Sequence, residues 1–434
     1  MGGMEHPLFT TLPQSEQTYL MDLHAQYCFS FQEQRQIIET ASDLRQWKMG
    51  PIERWFDEQQ VSTLEGRKRT KALVGALLKL VNEERRRPTD YTDFFPSEQL
   101  PEKIQSVIVH TEKILGRCPC PVEGEKTRCC NLRTLDAVQQ CAFGCSYCSI
   151  QSFYNKGAIE VVGNLQERLE QITLEEDFWH IGTGQSSDSL LWGNDFGTLD
   201  ALATLARRYP KTIIELKTKS HRTDWIAMEM PPNIVATWSL NAPTIIEKEE
   251  HLSATLEQRI AAARKAADKG IPVGFHLHPM VWFKGWQEEY ASVIDTVVDT
   301  FASDELVMFS LGTLTFTKAV LRTLRGEGRE SRILDMELTG AAGKYSYPLA
   351  TKQEMFSHAY SCFPKEWREE GPFFYLCMED PSLWEPTFGY GYPDDRSFEA
   401  AMKESYQKRV ALVAKKEHLS KESMPMSSCF PVIE

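Results

Sequence analysis

The chain has 434 residues, 42% of them hydrophobic, and a formal charge of −13. That length buries a large core and holds one large domain with additions, or two to three domains. The acidic balance argues against a dedicated nucleic-acid binder, although a local basic face stays compatible with it. No apolar run reaches about 18 residues and no signal-peptide pattern is visible, so a soluble, cytoplasmic protein with no membrane contact is expected. Eleven cysteines, clustered most densely between 118 and 148, suit metal in a reducing compartment better than a disulfide framework.

Residues 1–117 are expected to be a helical N-terminal extension. Leu73, Ala76, Leu77 and Leu80 repeat at the helical period. Arg67, Lys68, Arg69 and Lys71 flank them on one side and Arg85, Arg86 and Arg87 on the other. Such a helix reads either as a phosphate contact or as a solvated charged face; Pro88 ends it.

Residues 118–350 are expected to be the core. Short β-branched runs predict strands at Phe178 to Gly182, Thr212 to Leu216, Ile234 to Leu240, Val273 to Leu277 and Leu306 to Leu311. Helical stretches predict helices at Asn164 to Ile172, Leu199 to Arg208, Leu256 to Lys269 and Glu288 to Phe301. Strands alternating with helices imply a parallel α/β sheet, open or curled into a barrel, with ligands at the C-terminal strand ends. Residues 351–434, rich in aromatics between Phe373 and Tyr392, are expected to be an irregular C-terminal cap and tail.

The most informative feature is the run Cys141-Ala-Phe-Gly-Cys145-Ser-Tyr-Cys148. Three thiolates from one tight loop can hold three irons of a cubane cluster and leave the fourth open to a small chelator. The alternatives are zinc with a fourth ligand from elsewhere, or reduced buried cysteines. Upstream, Cys118, Cys120, Cys129 and Cys130 form a second thiol group. It would serve a second metal, a thiophilic substrate or a hydrogen-atom donor, or simply be structural. Cys28, Cys362, Cys377 and Cys429 are scattered and read as structural. His276 and His278, at i and i+2 on a strand, face one side. They read as substrate, acid–base or metal groups, or as one satisfied core histidine and one lining residue.

The three-cysteine loop resembles the radical S-adenosylmethionine (radical SAM) superfamily. From about 131 to 350 the chain is also similar to the spore photoproduct lyase family. The resemblance rests on Cys141 to Gln151, Asn164-Leu165, Ser187-Asp188, Thr218-Lys219, Ser239-Leu240-Asn241 and Glu257 to Ala262. It continues through Gly274-Phe275, Pro279, Gly285-Trp286, Tyr290, Phe316-Thr317-Lys318, Leu334-Asp335-Met336, Gly343-Lys344-Tyr345 and Tyr347-Pro348. It implies a partial (β/α)6 barrel, one [4Fe-4S] cluster held by Cys141, Cys145 and Cys148, and S-adenosylmethionine on the open iron. Reductive cleavage would then give a 5′-deoxyadenosyl radical, with flavodoxin or ferredoxin as the one-electron donor. Lys219 and Ser239 match positions near the SAM carboxylate, Asn241 would support the same end, and Ser187 falls in a matched cofactor-side segment. Tyr147 would close over the adenosyl group.

The chain departs from the family in three places. Gln185 stands where the family carries its hydrogen-donor cysteine. Ser149 replaces a tyrosine, and the basic hairpin is shortened to Leu338 to Ala342. These losses argue against thymine-dimer reversal. Four activities follow as expectations: a radical SAM reaction on a small molecule, nucleic-acid lesion repair with Arg67 to Lys71 and Arg322 to Arg332 on phosphates, aminocarboxypropyl or adenosyl transfer, or a non-catalytic iron–sulfur sensor.

Overall fold

The computed structural model describes residues 6–56, 63–96, 105–111, 113–118, 127–149, 158–175, 178–326, 330–341 and 343–422. Cys120, Cys429, Gln151, Arg329 and Ala342 lie outside them.

The core is one eight-stranded sheet. Its strands in chain order are β1 (Leu115–Arg117), β2 (Arg133–Leu135), β3 (His180–Thr183), β4 (Ile213–Thr218), β5 (Ile234–Leu240), β6 (Val273–Met280), β7 (Leu306–Thr313) and β8 (Phe373–Leu376). Spatial order equals chain order, with β1 antiparallel to β2 and every later pair parallel. Adding each strand on the same side by a right-handed crossover puts the connecting helices on one face. Helices Leu256–Asp268, Trp286–Thr300 and Leu349–Cys362 pack in that order. A sheet wound in one direction curls, and its two edges approach each other. Arg128 N donates to Glu379 O at 3.3 Å, joining the segment before β2 to the segment after β8. The result is a curled half-barrel in a mixed α/β chain.

Both faces of the sheet are covered, so every residue of β5 and of β7 is buried. Along β6 the apolar Phe275 and Leu277 alternate with His276 and His278, which point into the barrel. The interior carries a polar layer across several strands. Glu215 on β4 takes His180 Nε2 at 2.9 Å, His276 Nε2 at 2.7 Å and the Thr237 hydroxyl at 2.8 Å. His276 Nδ1 meets Ser310 Oγ on β7 at 2.5 Å. A buried carboxylate is tolerated only when its lone pairs are met in this way.

The expected strands and helices are present, with ends shifted by at most three residues and Ile234–Leu240 matched at both ends. Two regions differ from expectation. The first 117 residues are not wholly helical. Helices Gln14–Tyr27, Phe31–Gln46 and Gly66–Arg85 share a separate apolar core, but Gln105–Val109 is a strand pairing with Ala158–Val162, and β1 follows. Nor is the segment after 350 irregular. It holds the helix Leu349–Cys362, then β8, then the long helix Asp395–Glu422. Tyr406 of that last helix lies edge-on to Trp179 and His180 and covers the barrel where β3 begins. The aromatics between 373 and 392 pack on one another and on Phe398, which is why they gave no clean period. No described helix is long and apolar enough to cross a membrane.

Burial holds His276 below its ordinary range, to about 4, and it is neutral in the fold. In the unfolded chain an ordinary histidine takes a proton near pH 6.5. The unfolded state therefore binds more protons between these values, and stability falls as pH drops from about 6.5 toward 4. The expected loss from this group is up to about 3 kcal/mol. Urea unfolding at several pH values should show it, with a shallower pH slope in His276→Gln; an identical slope would contradict this reading.

Candidate active site

The cysteine loop follows β2. Gln140 and Gly144 take left-handed backbone angles, φ 76° and 66°, and turn the loop sharply at its start and between its first two cysteines. Cys148 N donates to Cys145 O at 3.0 Å, closing the turn between them. The loop is laced to the residues after helix Pro243–Glu249. Ser146 N donates to Glu249 O at 2.8 Å, Leu252 N donates to Phe143 O at 3.2 Å, and Ser146 Oγ lies 2.9 Å from His251 Nε2.

Burial, then the charge of Asp188 and the neighbouring thiols, pushes Cys141 well up. Burial also raises Cys145, to about 12, against the pull of Lys219. The three sulfurs are close enough to repel one another as thiolates, which favours a cation between them. Among the described residues no three Cys, His, Asp or Glu side chains already stand as a ligating set. Three thiols on one short loop still fit a cubane held at three corners, once the loop closes on it.

Beside the loop lies a buried charge cluster that the sequence analysis did not single out. Glu250 is 1% exposed and is met by several partners, among them the Ser253 hydroxyl at 3.4 Å. Arg259 Nη2 donates at 2.6 Å, Lys219 Nζ lies at 3.0 Å, Asn241 Nδ2 donates at 3.1 Å, and the Tyr147 hydroxyl donates as well. Burial works to raise the Glu250 carboxyl. The charges of Arg259 and Lys219, with the Tyr147 hydroxyl, overcome it and hold the group well below the usual carboxylate range. Lys219 remains a cation: burial opposes its charge, but Cys145 and Glu250 favour it. Its ammonium also donates to the Tyr147 hydroxyl, rides over that ring and lies 3.7 Å from Cys145 Sγ.

Lys219 is placed by Asp188. That buried carboxylate accepts from Leu190 N, Leu191 N and the Thr218 hydroxyl at 2.7–3.0 Å, and from Lys219 N at 2.6 Å. It ties the turn after β3 to the end of β4. Asn241 is held by Tyr290, whose hydroxyl donates to Asn241 Oδ1 at 2.7 Å. Ser239 is buried at the end of β5, and its carbonyl accepts from Arg259 Nη1 at 2.8 Å. Ser187 donates to Gln140 O at 2.5 Å, so in this structure it anchors the cysteine loop.

The remaining candidates form a second, adjoining group. Gln185, His276 and His278 line a cavity of ≈ 60 Å³ inside the barrel, with His180, Glu215 and Lys217. The turn that presents Gln185 requires Gly184, φ 80°, because a Cβ there would lie 2.7 Å from Lys217 O. His276 is the satisfied member of the histidine pair, held by Glu215 and Ser310, and His278 is the lining member. Burial, then the charge of Lys217, lowers His278 well below its usual value.

Glu250, Arg259 and Asp188 were the missed residues. Arg259 carried a signal: it shares the apolar stripe of its helix with Leu256, Ile260 and Ala263. An arginine on a core-facing stripe demands a buried acid. Replacing Glu250 by alanine leaves two buried cations without their shared anion. Chemical denaturation should show a loss of about 3–5 kcal/mol; a loss under about 1 kcal/mol, the range of exposed pairs, would contradict the network's role.

The spore photoproduct lyase family profile matches residues 233–347. The spore photoproduct lyase of Bacillus subtilis is 32% identical over 89 residues, 20% of this chain and 26% of that protein. That of Clostridium acetobutylicum is 26% identical over 84 residues, 19% of this chain and 25% of that protein. The matched segments thus span about a quarter of these relatives' lengths. A solved spore photoproduct lyase complexed with dinucleoside spore photoproduct superposes with a TM-score of 0.51 at 20% identity, over 56% of this chain and 76% of that one. A mutant spore photoproduct lyase with bound AdoMet and the same dinucleoside gives 0.50 at 21% identity, over 56% and 75%. Over residues 233–347 the chain is thus similar to the spore photoproduct lyase family, and its fold is similar to that of the solved spore photoproduct lyases.

Proposed function

We propose that the protein is a radical SAM enzyme acting on a small molecule held inside a partial (β/α)6 barrel. The observation that carries the reading is the lysine beside the thiol loop, Lys219 Nζ at 3.7 Å from Cys145 Sγ. A cation fixed at the rim of a three-thiolate loop is placed for the carboxylate of a ligand that chelates an open iron. Cys141, Cys145 and Cys148 would hold a [4Fe-4S] cluster. With S-adenosylmethionine bound, that centre supplies one-electron cleavage of the sulfonium and so radical chemistry at a substrate bond. A flavodoxin- or ferredoxin-class donor would provide the electron.

The chain's own residues then do the positioning. Glu250 and Arg259 hold Lys219 and Tyr147 against the loop, Asn241 braces Glu250, and Asp188 sets the backbone of Lys219. Gln185, Lys217 and His278 face the substrate side. Gln185 offers an amide, which lacks the weak S–H bond that a hydrogen-atom donor needs. This argues against the dimer reversal that the relatives' name denotes.

One observation favours a small molecule over a nucleic acid: several arginines expected on phosphates are already committed. Arg67 donates to Glu33 at 2.6 Å, Arg325 to Glu39 at 3.4 Å, and Arg332 to the carbonyls of Asp90 and Trp47 at 2.7 and 3.1 Å.

Anaerobically reconstituted protein with S-adenosylmethionine and dithionite should release 5′-deoxyadenosine. Cys145→Ala should abolish the release, and Lys219→Ala should weaken S-adenosylmethionine binding by about tenfold or more, or ~1.4 kcal/mol. Methylthioadenosine as product would reassign the reaction to aminocarboxypropyl transfer. Intact S-adenosylmethionine would remove the enzymatic reading.

A further inference from the structure

The upstream cysteines do not stand alone. Cys118 follows β1 directly, and its N donates to Leu132 O at 3.0 Å. Cys130 precedes β2 by a few residues. Cys377 follows β8 directly, and its N donates to Leu311 O at 2.8 Å. The first two belong to one edge of the curled sheet and the third to the other. The curl brings those edges together, and all three cysteines line the ≈ 60 Å³ cavity inside the seam. Scattered in sequence, they share one wall of one hole.

Two further observations point to a ligand there. His278 lines the same cavity. It is also adjacent to Cys377: a Cβ placed on Gly312 would meet His278 Cδ2 at 2.9 Å and Cys377 O at 3.2 Å. Glycine at 312 is therefore what lets the imidazole and the Cys377 segment share this space. In addition His180, 3% exposed and lining the cavity, has its Nδ1 buried without a hydrogen-bond partner. A polar hole with an unsatisfied nitrogen, walled by thiols and room for roughly two waters, is built for a small polar guest.

The donor chemistry narrows the guest. Three sulfurs with one neutral imidazole match the Cys3His set of tetrahedral, thiophilic divalent cations. Lys217 lines the same cavity. Cys129 stays out of the set; its Sγ accepts from Asn131 N at 3.4 Å. Adjacent cysteines seldom serve one ion, and here only Cys130 of the pair lines the cavity.

We infer that Cys118, Cys130 and Cys377, with His278 as fourth ligand, form a second metal site that takes one zinc-class cation and staples the barrel seam. Among the described residues no ligating set is preformed, so the four side chains would draw together as the ion binds. The site shares His278 and its cavity with the substrate side proposed above but uses none of Cys141, Cys145 and Cys148, so loss of the cluster loop does not decide it.

The test uses the full-length chain with Cys141, Cys145 and Cys148 all changed to alanine, which removes the cluster loop's thiols. Titration with Cd²⁺ should give a sulfur-to-cadmium charge-transfer band that saturates at one equivalent. Cys118→Ser, Cys377→Ser and His278→Ala, each added singly, should weaken binding on the order of tenfold or more. Because each variant comes from a different segment, one that fails to fold leaves the others to decide. No stoichiometric band, or an affinity unchanged in the folded variants, would overturn the assignment. So would iron and sulfide retained by this full-length chain at cluster stoichiometry, which would make the seam a second iron–sulfur site.

Discussion

The site is organised around one buried carboxylate. Glu250 is almost fully enclosed, yet it stays ionised because Arg259, Lys219, Asn241 and Tyr147 satisfy it together. Removing such a group from water is expensive, and the cost is offset only when every lone pair is met. The arrangement is therefore close to all-or-none. If it forms, Lys219 is fixed beside Cys145, and Tyr147 is fixed under Lys219. The neighbouring Glu249 serves the other direction. It accepts from Tyr91, Ser331 and Arg332 and pins the same turn to distant segments of the chain. Two adjacent acids thus hold the cysteine loop between the Lys219 side and the scaffold.

A second polar layer fills the barrel interior. His180, Glu215, Thr237, His276 and Ser310 link five strands through side chains rather than backbone. An apolar filling would be simpler to stabilise. Retaining polar groups there gives the cavity walls fixed hydrogen-bond directions, which an apolar core cannot do. The cavity between this layer and the seam is where the substrate-side residues and the upstream thiols meet. One sheet thus presents two chemically distinct surfaces, the thiol loop at the strand ends and the imidazole-rich interior.

Much of the fold was legible because local patterns carried it. The strands Ile234–Leu240 and Leu306–Thr313 and the helix Leu256–Asp268 announced themselves by β-branched runs and by helical period with a glycine stop. The cysteine loop announced itself by spacing. What stayed hidden depended on long-range packing. β8 is four residues long and lies among aromatics with no period, so only its pairing with β7 identifies it. Glu250 looked like one more acid in a charged turn; its meaning comes from Arg259 nine residues on and Lys219 a strand away. Cys377 looked isolated because nothing local says that the sheet curls back on itself. In the basic runs, Arg67, Arg85, Arg325 and Arg332 bond to carboxylates and carbonyls of the chain itself, which no local pattern announces.

If the three-thiol loop, with Lys219 at its rim, leaves one iron open for S-adenosylmethionine, electron paramagnetic resonance of the anaerobically reconstituted, dithionite-reduced protein should show a reduced four-iron cluster signal. Its shape should change when S-adenosylmethionine is added, and the change should be lost in Lys219→Ala. A spectrum indifferent to S-adenosylmethionine, or a loop that binds zinc and gives no signal, would contradict the account.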